Sequence, residues 1–334
     1  MTMPENTFET AAVIGTGMMG PGIAVTLALG GLRTTILSRT EEGASQGLGK
    51  AHSQIRLLLE NGLAQADRAA RALEELSACA SFNQTIAAAD LVIESGPEKM
   101  EFKQQIFASM DSIAKASAVL ASNTSGLSIT EVASKCTRPE RVLTTHFWNP
   151  PHLMPLVEIV KGARTSDVVA SAVCALLTRC GKVPILVKKD RPGQLGNRLQ
   201  QALWREAVNI VAEGIADPED VDLAAKTGFG LRLPVYGIFE HADAVGLGMV
   251  FDIMDYISRD LYNQAKAPDL LKEMVGRGEL GAKHGRGFYD WSKKDLQAVL
   301  DRRDRFVMEF LRSSFGNRSR TVARSEERRV GKSV

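Results

Sequence analysis

Apolar and polar residues alternate along the chain in short blocks. Ala11 to Gly15 (AAVIG) is an apolar run stopped by glycine, and Ile23 to Leu29 (IAVTLAL) resumes as an apolar segment of helical character. That order reads as strand, glycine turn, helix. A second strand is predicted at Thr34 to Leu37, followed by a long polar stretch from about Glu41 to Leu76. There Leu57, Leu58, Leu59, Leu63 and Leu73 form an apolar side, while Arg56, Glu60, Arg68 and Arg71 face water. The pattern predicts a helical hairpin turning near Asn61-Gly62.

Strand-like runs then recur at Leu91 to Ile93, Val119 to Ala121, Val142 to His146, Leu156 to Val160 and Pro184 to Val187. Helical patterns at Phe102 to Ile113, Ile129 to Ser134 and Ser166 to Leu177 separate them. Such alternation predicts an α/β domain with a largely parallel, doubly wound sheet. After Asp190-Arg191-Pro192-Gly193 the strand signals cease. Arg198 to Glu213 is amphipathic and stops at Gly214, and Asp217-Pro218-Glu219-Asp220 opens the next helix with a cap, a proline and acids. Val235 to Ile257 and Leu270 to Val275 supply more helix, and Gly281 to Trp291 reads as an irregular closing segment. The expected organisation is a sheet domain over 1–190 carrying the hairpin at about 41–76, an all-α domain over 191–312, and a tail over 313–334. From Asn317 onward that tail bears six basic residues against two acids and few apolar ones, and is expected to be disordered. The bolder reading of it is an arm for RNA or an anionic membrane.

Composition narrows the picture. The 334 residues are 44% hydrophobic and 24% charged, which fits ordinary globular domains. Forty-one Lys and Arg against 39 Asp and Glu leave a charge of +2, so nothing global points to nucleic acid or membrane. Ala11 to Leu32 is uncharged and long enough to span a bilayer, but its six glycines and one proline argue against that. Acids rather than Lys or Arg precede it, the wrong start for a signal peptide. Cys79, Cys136, Cys174 and Cys180 form no C-x-x-C pair, so a reduced, cytoplasmic setting with structural thiols and no metal site is expected.

Candidate chemistry begins at Gly15-Thr16-Gly17-Met18-Met19-Gly20, a G-x-G-x-x-G match between a predicted strand and helix. Gly15 permits the tight turn, Gly17 lets the backbone approach a pyrophosphate, and Gly20 lets helix and strand pack closely. Met18 and Met19 complete the loop, and the helix N-terminus offers free N–H groups to the phosphates. At the end of the second predicted strand an Asp or Glu would bind the 2′-hydroxyl of NAD. This chain has Ser38-Arg39-Thr40, which can hydrogen-bond and neutralise a 2′-phosphate. NADP(H) is therefore favoured, with NAD(H) as the alternative in which Arg39 is a solvated surface residue. His146 stands at the end of a predicted strand, and Glu158 follows twelve positions later. A carboxylate on one imidazole nitrogen fixes the tautomer and leaves the other free to move a proton. The bland alternative is a structural histidine.

Taken in order, Gly15 to Gly22, Ala121 to Ser125 (ASNTS), His146 to Pro150 with Glu158, Asp190 to Arg198 (DRPGQLGNR) and Lys283 to Tyr289 (KHGRGFY) resemble the 3-hydroxyacyl-CoA dehydrogenase family. The resemblance covers residues 11 to about 291. It implies a Rossmann-type domain followed by an all-helical substrate and dimerisation domain, a homodimer, and a place in fatty-acid metabolism. It makes His146 the catalytic base, Glu158 the acid that orients it, and Ser125 and Asn197 the pair that holds the substrate oxygen. Glu98, Lys103, Asn123 and Asn149 join the cofactor-binding set.

Three departures from the family pattern bear on cofactor and substrate. Ser38 replaces an Asp, the hairpin carries only Lys50, Arg56, Arg68 and Arg71 where acyl-CoA enzymes have several lysines, and Trp148-Asn149-Pro150-Pro151-His152 replaces the usual Phe-Asn-Pro. Trp148 is expected to narrow the substrate pocket and His152 to bind a substrate carboxylate, its alternative being a loop residue. The expected activity is interconversion of a 3-hydroxyacyl alcohol and its ketone. The rivals are a reductase of a small ketone, aldehyde or cyclic imine without CoA, and a crystallin-like dinucleotide-binding protein with no turnover.

Overall fold

The computed structural model describes residues 8–314 and divides the chain into two compact units, Met1–Asn197 with Arg302–Val334, and Arg198–Asp301. Most of the tail expected over 313–334 lies outside the described residues.

The first unit is built on β1 (Thr10–Ile14), α1 (Gly20–Leu29), β2 (Arg33–Leu37), the hairpin α2 (Glu41–Glu60) and α3 (Ala66–Glu75), β3 (Ser77–Cys79), α4 (Phe82–Ala88), β4 (Leu91–Glu94), α5 (Met100–Ile113), β5 (Val119–Ser122) and α6 (Ile129–Val132). It continues through β6 (Val142–Phe147), β7 (Leu156–Lys161), α7 (Asp167–Arg179), β8 (Val183–Val187) and the start of α8 (Gly196–Ala212). The strands form one eight-stranded sheet in the order β3-β2-β1-β4-β5-β6-β7-β8. Successive residues of a strand point to opposite faces, and here both faces are covered. Ala11 and Val13 of β1 enter one apolar core with α1, α2, α3 and α7, while Ala12 enters a second core with α4, α5 and α6.

All pairings are parallel except β6 with β7. The 148–155 connection between those strands is too short for a crossover helix, which needs about a dozen residues, so the chain returns antiparallel. Strand order reverses direction between β1 and β4, the switch point beside which ligands bind in such sheets.

The second unit holds the rest of α8 and then α9 (Pro218–Thr227), α10 (Phe229–Arg232), α11 (Ile238–Val245), α12 (Leu247–Ile257) and α13 (Asp269–Gly276). The single apolar stretch expected from Val235 to Ile257 is broken at Gly246, whose φ of 94° ends α11 and starts α12. The last helix, α14 (Leu296–Ser314), straddles the division. Its later turns belong to the first unit, where Met308 joins the apolar core and Arg312 donates to Asn61 Oδ1 at 2.9 Å. The division after Asn197 falls later than residue 190 because Asp190, Leu195, Gly196 and Asn197 are hydrogen-bonded to the sheet domain.

Candidate active site

The turn after β1 crosses the switch point on glycines. Gly15 has φ 115°, and a Cβ there would lie 2.5 Å from the Ser95 carbonyl oxygen at the end of β4. A Cβ on Gly20 would fall 1.9 Å from the Gly15 oxygen, so the first turn of α1 packs directly on the loop. A Cβ on Gly17 would meet nothing within 4 Å, and Met18 is exposed. The loop thus leaves an open backbone cradle in front of the α1 N-terminus, which fits a dinucleotide pyrophosphate.

At the end of β2, Ser38 is half-buried and Arg39 and Thr40 are exposed. Thr40 caps α2 by accepting from Gly43 N at 3.1 Å. The two acids that follow are engaged elsewhere: Glu41 accepts from Ala80 N at 2.9 Å, and Glu42 from Gln46 Nε2 at 3.3 Å. Among the described residues Arg39 has no hydrogen bond or ion pair.

Past β4 and β5 the ends of the sheet carry a polar network that the sequence reading missed at its centre. Glu94, the last residue of β4, is fully buried and accepts from Lys103 Nζ at 2.8 and 2.9 Å, Ser122 Oγ at 2.7 Å and Gly96 N at 2.6 Å. A buried charge of this kind persists only when paired. A glutamate ending an otherwise apolar strand (LVIE) is the signal that could have marked it. Lys103 is 1% exposed and also lies 3.5 Å from Glu98, so it stands behind Glu98 rather than in the open cleft. Glu98 Oε1 receives Thr124 Oγ1 at 2.5 Å, Ser125 N at 3.0 Å and Gly126 N at 3.1 Å. Burial works to raise the Glu98 pKa, but the Thr124 bond, the Lys103 charge and the two N–H groups outweigh it and hold the carboxyl below its ordinary range.

Asn123 spans toward the next strand. Its Oδ1 accepts from Phe147 N at 2.9 Å, and its Nδ2 donates to Ser95 Oγ at 3.3 Å. Asn149 is exposed just past β6, in a cis peptide bond with Pro150.

The antiparallel ladder places His146 directly opposite Glu158. Directly opposed residues share a face of the sheet, so the register itself sets the pair together. His146 Nδ1 lies 2.7 Å from Glu158 Oε2, with the two side chains 6% and 0% exposed. A carboxylate only accepts, so Nδ1 carries the proton and Nε2 is left as the basic nitrogen. Glu158 Oε1 takes the Leu195 and Gly196 N–H groups at 2.9 Å each, at the N-terminal end of α8. Trp148 Nε1 donates to Oε2 at 3.1 Å. Burial would raise the Glu158 pKa, yet the His146, Gly196 and Leu195 hydrogen bonds prevail and hold it below the ordinary value. Asn197 Nδ2 donates to the Ser125 carbonyl at 2.8 Å, which joins the start of α8 to the loop after β5. His146, Glu158 and Trp148 are therefore brought together, and Asn197, which follows Gly196 in the chain, is tied to Ser125.

His152 lies elsewhere. A Cβ on Gly22 of α1 would sit 3.1 Å from its Nδ1, and burial, then the Lys182 charge, pushes the ring down to about 4. At neutral pH it is uncharged and supplies no cation for a substrate carboxylate. Its loop is held from below by Lys182, whose Nζ donates to the Pro151 and Met154 carbonyls at 2.6 and 3.0 Å. Burial draws that ammonium down to about 7.

Residues 10–191 match the family model of the 3-hydroxyacyl-CoA dehydrogenase NAD binding domain, and residues 193–291 that of the 3-hydroxyacyl-CoA dehydrogenase C-terminal domain. A probable 3-hydroxybutyryl-CoA dehydrogenase of Bacillus subtilis is 36% identical over 84% of this chain and 97% of its own. The 5-formyl-3-hydroxy-2-methylpyridine 4-carboxylate 5-dehydrogenase of Mesorhizobium japonicum is 31% identical over 88% of this chain and 94% of its own. A crystal structure of an enzyme of that same name, described as an NAD+ dependent dismutase, superposes with a TM-score of 0.85 at 29% identity, covering 91% of this chain and 98% of that one.

Proposed function

Because the chain belongs to the 3-hydroxyacyl-CoA dehydrogenase family and is a dehydrogenase acting on CH–OH groups, we propose that it is an NADP(H)-preferring enzyme interconverting a 3-hydroxyacyl alcohol and its ketone. The observation that carries this reading is the buried His146–Glu158 pair beside the Asn197–Ser125 link. Gly15, Gly17, Met18, Met19 and Gly20 would hold the pyrophosphate of a dinucleotide, with Glu98, Asn123 and Asn149 around its nicotinamide end. When bound, the nicotinamide accepts or supplies the hydride. In the oxidative direction His146 Nε2 takes the hydroxyl proton, and Glu158 stabilises the imidazolium through Nδ1–H. In the reductive direction the imidazolium returns that proton to the forming alkoxide, whose charge Ser125 and Asn197 stabilise. Ser38, Arg39 and Thr40 would receive a 2′-phosphate, since Arg39 is exposed and both neighbouring glutamates are engaged elsewhere.

A second reading, in which the substrate is a small ketone, aldehyde or cyclic imine without CoA, has observations in its favour. The hairpin α2–α3 bears few basic residues, Trp148 adds bulk beside the histidine, and the pyridine-carboxylate enzyme is a close structural likeness. Oxidation of NADPH and NADH in parallel, with acetoacetyl-CoA and with small ketones and cyclic imines, separates the two. Fast turnover of the CoA ester alone supports the first reading, and turnover of small substrates alone supports the second. Unchanged activity in His146→Ala would overturn both.

The partner of the second unit is a second copy of the chain. Residues of α9 to α12 are nowhere buried, and large apolar side chains such as Val235 (86% exposed), Phe239 (83%) and Tyr256 (79%) face outward. An apolar surface of this extent marks an interface, and a homodimer supplies it with its own complement.

A further inference from the structure

Glu158 has more donors than orientation of a histidine requires. An ionised carboxylate offers about four lone-pair sites, and here each is taken: His146 Nδ1 and Trp148 Nε1 share Oε2, while the Leu195 and Gly196 N–H groups share Oε1. The indole is itself held in place. Its ring centroid lies 5.6 Å from that of His146 at a tilt of 54°, and a Cβ on Gly196 would fall 2.4 Å from Trp148 Cζ2. Glycine at 196 therefore makes room for the ring and at the same time offers its N–H to the carboxylate. A phenyl group at position 148 would fill similar space and bring no donor.

Resting on the catalytic reading above, we propose that Trp148 is a positioning residue for the His146–Glu158 pair: its indole N–H occupies the second lone pair of Oε2, locks the carboxylate plane and moderates its hold on the imidazole. Two donors on one oxygen divide its negative charge, so each bond is weaker than it would be alone. Without the indole, Oε2 serves Nδ1–H only and the carboxylate loses one of its four restraints. Trp148 thus acts on the reaction through Glu158, in addition to walling the substrate side.

The hydrogen bonds can be read without any substrate. In ¹⁵N-labelled full-length protein, the Trp148 indole and the His146 Nδ1–H give downfield resonances, each assigned by its loss in Trp148→Phe or His146→Gln. Trp148→Phe is expected to move the His146 Nδ1–H resonance further downfield, and Glu158→Gln to move the Trp148 indole resonance upfield. With the substrate that turns over, Trp148→Phe is expected to lower kcat about three- to tenfold, the rate equivalent of one hydrogen bond, while nucleotide affinity stays unchanged. An indole resonance indifferent to Glu158→Gln overturns the proposal even if Trp148→Phe fails to fold, and so does an Nδ1–H resonance indifferent to Trp148→Phe. Full turnover in His146→Gln would instead sink the catalytic reading, and the resonances would still decide the role of Trp148.

Discussion

His146 differs from a buried structural histidine in how its two nitrogens are used. Nδ1 is committed to Glu158, whereas Nε2 makes no hydrogen bond among the described residues. Glu158→Gln keeps the shape but removes the charge that stabilises the imidazolium, so kcat should fall by about two to four orders of magnitude. Steady-state kinetics with nucleotide binding measured alongside would check this, since a variant that also loses the nucleotide has lost more than the pair. The His146, Gly196 and Leu195 hydrogen bonds hold the Glu158 pKa below the ordinary carboxylate range, so its protonation contributes nothing to a pH profile in the neutral range. Cofactor choice is decided at the same scale. Ser38→Asp with Arg39→Gln places a carboxylate where a 2′-phosphate would sit, and the ratio of kcat/KM for NADPH over NADH should drop at least about tenfold, the effect of one lost charge-assisted contact. An unchanged ratio would contradict the assignment of that strand end.

Elements show where local chemistry becomes architecture. The segment after α6 is fastened to α5 by Asp111, which accepts from Thr137 N and Oγ1 at 2.7 Å and pairs with Arg141 Nη2 at 2.7 Å. Burial opposes ionisation there, but the hydrogen bonds from Thr137, Arg141 and Arg138 bring the carboxyl to about 2. Because the folded pKa lies below the unfolded one, the associated stability, about 2 kcal/mol, is fully present above about pH 4 and is lost as the pH falls toward 2. Denaturant titrations at stepped acid pH should show that slope, and Asp111→Asn should flatten it. Gly20→Ala tests the α1 junction: its methyl would meet the Gly15 backbone, and both stability and nucleotide binding should fall.

Much of this level was legible beforehand. The β1 run, its glycine turn, the hairpin and the strands of the central sheet follow hydrophobic period closely enough to be read from it. The short edge strand β3, the helix α4 after it and the last helix α14 were not read from it, and three further features were also missed. The reversal of β7 depends on the missing crossover helix, which periodicity within a strand does not report. The break at Gly246 is a backbone effect inside an unbroken apolar pattern. Glu94 and Lys103 lie far apart in chemical environment from the exposed acids and lysines they match in letter, because only the fold decides which charges are buried as a pair. Among the site residues, the motif spacing brought out His146 and Glu158, yet gave no hint that Trp148 would reach the same carboxylate.

For the whole molecule, the two units differ in what they bury. The sheet domain closes two cores of its own, whereas α9 to α12 hold no buried residue. Sedimentation of the wild-type protein is expected to give the mass of a dimer. Val235→Glu with Phe239→Lys puts charges into that surface and should yield monomers of reduced thermal stability. A monomeric wild type would remove the second copy as the occupant.

The opposition of His146 and Glu158 across the β6–β7 ladder also separates two kinds of change. The ladder fixes the pair by register, and the connection from Asn149 to Pro155 takes no part in that pairing. Pro150, Pro151 and Leu153 anchor this connection in the interior, so only its half-buried members, His152, Met154 and Pro155, can change at little cost to packing, whereas a one-residue slip of β7 would turn Glu158 to the opposite face and silence the chemistry at once. Substrate range is therefore expected to vary through a few side chains of this connection, while the ladder keeps the proton-transfer pair together.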